Sequence, residues 1–71
     1  MFAIDERVRP GQFWEGDMIG IFVIAQAVEP VMGATVHILV IGKHTGNIRH
    51  ATWWPVDIVN DYTLTIEGPH T

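Results

Sequence analysis

The feature that most restricts this chain is the spacing of its glycines and prolines. Apart from Gly20 they fall at Pro10-Gly11, Gly16, Pro30, Gly33, Gly42, Gly46, Pro55 and Gly68-Pro69, with Asn60-Asp61 as a further turn signal. The intervals between them are strand-sized and crowded with Val, Ile and Thr. Branched Cβ atoms suit a pleated surface and lose rotamer freedom in a helix. Short strands between regular turn signals spell an all-β sandwich or barrel.

Five strands are predicted. Phe2 to Arg9 alternates poorly and reads as an edge. Met18 to Val28 is apolar at nearly every position, so both of its faces should be covered, with Gly20 marking a bend. Ala34 to Ile41 places Ala34, Val36, Ile38 and Val40 on one face, read as core, and Thr35, His37, Leu39 and Ile41 on the other. Asn47 to Trp54 follows the loop from Gly42 to Gly46, whose glycines supply the positive φ of a hairpin turn. Tyr62 to Ile66 alternates Tyr62, Leu64 and Ile66 with two threonines.

At 71 residues the chain is one domain, residues 1–71. Two complete sheets need more chain than this, so a small five-stranded antiparallel barrel fits better than a sandwich, and closure hides strand edges. A domain of this size buries only about 60% of its unfolded surface. There is no cysteine to staple it, which fits a reducing compartment such as the cytoplasm. Tight packing, self-association or a partner must supply the rest. With 48% hydrophobic and only 17% charged residues, the chain should fold and should carry less charged surface than a monomer needs. A homo-oligomer follows, with another protein as a further partner. The longest apolar run, Met18 to Val28, is too short to span a bilayer, and its extension meets Glu29, Pro30 and His37.

The segment Trp54-Pro55-Val56-Asp57-Ile58-Val59, between a hairpin and a final strand, resembles the aromatic-Pro-x-x-x-Val signature of SH3-like barrels. The resemblance implies a five-stranded barrel in which Pro55 opens a short helical turn before the last strand, as its fixed φ allows. It does not imply recognition of proline-rich peptides: Ile58 stands where those domains carry tyrosine, and their acidic, tyrosine-containing first loop has no counterpart.

Charge is polarised. Between Glu29 and Asp57 there is no acid, while Lys43 and Arg49 lie there with His37, His44 and His50. All eight acids fall outside that interval, which suits head-to-tail packing or the presentation of one basic face. The same hairpin is aromatic, with Trp53 and Trp54 adjacent. Neighbouring strand residues face opposite sides, so only one tryptophan enters the core. Trp54, before the proline, is expected inward; Trp53 is expected outward with Asn47, Arg49 and Ala51. The opposite parity would turn Ile48, His50 and Thr52 outward.

The candidate partner-binding residues are therefore Trp53, Arg49, His50, Lys43, His44 and His37, acting in a protein-interaction or oligomerisation module. The alternative is a nucleic-acid-binding barrel using the same hairpin, by stacking beside cations, although two cations fall short of a basic stripe. His37 and His50 alone do not complete a zinc site, and no cofactor is implied. No nucleophile elbow, phosphate loop or supported carboxylate pair is visible, so an enzyme would need an active site assembled between subunits.

Overall fold

A computed structural model describes residues 7–29 and 33–68. Among these, the elements are β1 (Phe13–Glu15), β2 (Ile19–Glu29), β3 (Gly33–Gly42), β4 (Ile48–Trp53), α1 (Pro55–Asp61) and β5 (Thr63–Ile66). The five strands form one antiparallel sheet in the order β4-β3-β2-β1-β5. β2, β3 and β4 are a meander, and β5 returns to the far side of β1. The sheet is not closed: no ladder joins β4 to β5.

The register sorts side chains into two faces. On the inner face Leu64, Trp14, Ile21, Val40 and Arg49 form one row across all five strands. Val23, Ile38 and Ala51 form the next, and Gln26, Val36 and Trp53 a third. Here lies the core: Val8, Trp14, Ile21, Val23, Val36, Ile38, Val40 and Ile58 are buried. Val36, Ile38 and Val40 confirm the face of β3 read as core. A bulge between Val23 and Ala25 absorbs Ile24 and returns Gln26 to the inner side, where its amide donates to the Val8 carbonyl.

The inner face is covered by two irregular additions. One is the segment that carries Val8, tied to the sheet by hydrogen bonds between Gly11 and Val23 and between Val23 and Gln12. The other is α1, which contributes Pro55 and Ile58. Pro55 opens α1 because its missing N–H is unused in a first turn. The element is a seven-residue α-helix, longer than the turn expected.

Four expectations are corrected. Of the predicted first strand, residues 1–6 lie outside the described residues, and Arg7 to Arg9 are not strand; the first strand is Phe13–Glu15, after the Pro10-Gly11 turn. Gly20 marks no bend; it lies inside β2, where the Phe13 ring crosses so closely that a Cβ would meet it at 2.4 Å. β2 is not covered on both faces, since Phe22 on the outer face and Ile24 in the bulge are exposed. In the β3–β4 loop the positive φ belongs to Gly46 alone (φ 72°), while Gly42 is set by the Thr45 hydroxyl packed against it.

Candidate functional site: the outer face of the sheet

The tryptophan parity is inverted relative to expectation. Trp53 pairs with Val36 on the inner face and packs against the core, while Trp54 is 45% exposed. Trp54 lies beyond β4, in extended backbone (φ −84°, ψ 138°) as the residue before α1. A residue preceding proline is held extended, which lets the chain leave the sheet there. Arg49 and Ala51 share the inner parity with Trp53, so Ile48, His50 and Thr52 are the residues that point outward.

The six candidate residues therefore do not form one surface. His37 and His50 stand on the outer face, in the rows of Thr52 and Leu39. Trp53 and Arg49 lie on the inner side, Arg49 at the margin beside Ile19, Val40, Gly42, Thr45 and Asn47. Lys43 and His44 occupy the exposed loop between β3 and β4. Lys43 donates to the Glu15 carboxylate at 2.9 Å, across a polar recess that also holds Asp17 and Asp61. That hydrogen bond, then the lysine's charge, holds the Glu15 carboxyl below its ordinary value. The recess sets Lys43 among acids, an environment that repels phosphate.

The histidines have other company. Phe13, Phe22, Leu39 and His50 stand side by side across four strands, and Gly20, Ile41 and Ile48 form the adjacent row. Ile66 pairs with Phe13 at the far edge. Phe22, Ile24, Ile48 and Ile66 are exposed, Ile48 by 62%. This apolar outer face is what reading the hairpin alone missed. Its signal was present in β2, apolar at nearly every position, which demands cover on both sides that a 71-residue chain cannot provide.

Around the end of β4, Trp53 meets Tyr62 with ring centroids 5.8 Å apart and planes tilted by 39°. Tyr62 also packs on Gly16, where a Cβ would lie 2.6 Å from the ring. Burial, then the neighbouring charge of Asp61, raises the Tyr62 hydroxyl above its ordinary value. A raised value means that the folded state holds the proton more tightly than the unfolded chain. This stability is fully present below the free tyrosine value near 10 and is lost as pH rises through the folded value. Tyr62→Phe should therefore lose less stability than the parent between about pH 8 and pH 11. Equal losses in parallel urea melts would contradict the assignment.

Among the described residues no group of three or more His, Asp or Glu could hold a metal, and no helix is long and apolar enough to cross a membrane. Comparison with protein-family models, curated proteins and solved structures finds no match to this chain.

Proposed function

We propose that this chain is a small interaction module that self-associates through the outer face of its sheet. The observation that carries this reading is the patch of exposed Phe22, Ile24 and Ile48 with half-buried Leu39 and Ile41, spread over two adjacent rows and the bulge of β2, β3 and β4. No Asp, Glu, Lys or Arg stands between these five residues, and Glu15, which ends the row of Gly20, Ile41 and Ile48 on β1, is paired with Lys43. A second copy supplies the same apolar rows, and a two-fold axis through the face brings like patches together. A standard interface takes about 800 Å² from each partner, roughly one sixth of the 4800 Å² accessible surface, a share that one sheet face can provide. Association also supplies the cover that β2 lacks.

The finer reading of the fold is an SH3-like barrel. It is supported by α1 beginning at Pro55 and leading directly into the last strand, as the resemblance implies. The cysteine-free composition suits a cytoplasmic setting. The nucleic-acid alternative loses ground, because Lys43 faces Glu15 and Arg49 lies across the sheet from His37 and His50.

Sedimentation tests the proposal. The parent should run as a dimer or larger species at micromolar concentration. Phe22→Glu and Ile48→Glu should each run as the 8.0 kDa monomer with the parent's far-ultraviolet spectrum and a lower melt, since both side chains already meet solvent in the single chain, a hot-spot loss is about 2 kcal/mol per copy, and the stability that association contributes goes with it. Arg49→Ala should leave association intact. A monomeric parent, or Glu variants that still associate, would sink the reading.

A further inference from the structure

We propose that the recess at the end of β4 binds an alkylated ammonium head group, with Trp53 and Tyr62 as an aromatic wall and Asp57 and Asp61 as counter-charges. These four residues line a hollow of ≈ 250 Å³, on the opposite side of the sheet from the self-association face. The proposal is thus independent of that function.

The shape decides how a ligand would sit. At 5.8 Å, with planes tilted by 39°, the two rings touch, so nothing enters between them and a ligand meets them only from the side of the hollow they line. Gly16 keeps Tyr62 in place, since any larger residue would collide with the ring. The volume lies below the roughly 300 Å³ at which drug-sized ligand sites begin. A head group fits; a whole nucleotide or peptide does not.

The electrostatics decide its sign. Asp57 and Asp61 are four residues apart on α1 and so lie on one helix face, where like charges repel. Asp61 sits at the C-terminal end, where the helix itself is partially negative, and no basic residue occupies that last turn. Among the described residues neither carboxylate has an ion-pair partner; the cations Arg9 and Lys43 are engaged by Glu67 and Glu15. Two negative charges without an ion-pair partner, beside half-buried aromatic rings that line a hollow, attract a cation. The ring quadrupoles add to that attraction, which is the basis of quaternary-ammonium recognition. Alkylation favours such a wall, because a bare ammonium is strongly hydrated and gives up its water at greater cost. Two sources share this chemistry: a free choline-type molecule and a methylated lysine side chain.

Proton–nitrogen correlation spectra of the intact chain, titrated with choline, separate the outcomes. Saturable shifts should appear at Trp53, Asp57, Asp61 and Tyr62 in the millimolar range. Choline's neutral tert-butyl analogue should bind at least about fivefold more weakly, as should Asp57→Asn and Asp61→Asn toward choline, the weight of one unit charge at about 4 Å in water. Both aspartates are exposed, so these variants should keep the parent's spectral dispersion. A trimethyllysine peptide that binds tenfold more tightly than choline assigns the site to a modified protein tail; equal affinities assign it to the small molecule. Shifts that never saturate, a neutral analogue that binds as well as choline, or Asn variants that bind like the parent would overturn the proposal.

Discussion

Trp14→Ala should leave the chain largely unfolded in water at room temperature. Trp14 is 6% exposed in the five-strand inner row, between Leu64 on one side and Ile21 on the other. Emptying a large aromatic from a core costs about 3–5 kcal/mol, because the transfer free energy is lost and the cavity collapses only in part. At about 0.05–0.15 kcal/mol per residue, a chain of 71 residues holds roughly 4–11 kcal/mol in all. The loss therefore takes about a quarter of the total at the least, and nearly all of it at the low end. Trp54→Ala provides the comparison. Its side chain is 45% exposed and belongs to no strand, so its removal should cost under about 1 kcal/mol, within the range of surface changes. Urea midpoints for the two variants, read with the parent, measure the difference. Equal midpoints would mean that the inner row does not hold the sheet together.

Gln12→Leu should be the next most damaging change, though it alters side-chain volume little. Gln12 is 1% exposed and is the hub of a polar network. Its Oε1 accepts from the Arg9 backbone N–H at 2.7 Å and from the Trp14 indole Nε1 at 3.0 Å. Its amide nitrogen donates to the Arg7 carbonyl at 3.2 Å, with a longer contact to Glu67 at 3.4 Å. Leucine keeps the apolar bulk and leaves the Trp14 and Arg9 donors without their acceptor. Each orphaned buried donor costs about 1–3 kcal/mol, so a loss of about 2–4 kcal/mol is expected. Gln12→Glu separates the polar role from packing. It keeps an acceptor for both donors but places a charge near Glu67, so it should gain stability as pH falls into the carboxylate range, while Gln12→Leu should not. Melts of the two variants at about pH 4 and pH 7 decide it. A Gln12→Leu protein as stable as the parent would show that the network contributes nothing.

How far the sequence foretold this molecule depended on whether a feature was local. Val36, Ile38 and Val40 were legible because a two-residue period states its own buried face. The β3–β4 hairpin was legible because Gly46 sits where a left-handed turn residue is needed. β1 was not: three residues between two turn signals are too few to show a period, and they are strand only because β2 and β5 flank them. The tryptophan parity was illegible for a different reason. Adjacency required Trp53 and Trp54 to face apart, but which one turned inward was set by the register of β4 on β3, Val36 opposite Trp53, a relation between strands that neither strand contains. Gln12 gave no signal, since a glutamine reads as surface until the donors around it are brought together by the fold. The candidate site failed in the same way. Its sequence signal runs along one hairpin, while the outer face is assembled from three strands.

The return of β5 to β1 has a kinetic consequence. The meander β2-β3-β4 joins neighbours in sequence, whereas Phe13 and Ile66, paired across β1 and β5, lie about fifty positions apart. Loop-closure entropy grows with the logarithm of that separation, so the local ladders form at lower entropic cost and the β1–β5 ladder closes on a sheet already present. The Arg9–Glu67 ion pair and the Gln12 network sit across that same closure. Zipped last, it is also the seam from which partial unfolding begins, and each opening strips the inner row of Leu64 while leaving the three-stranded meander standing.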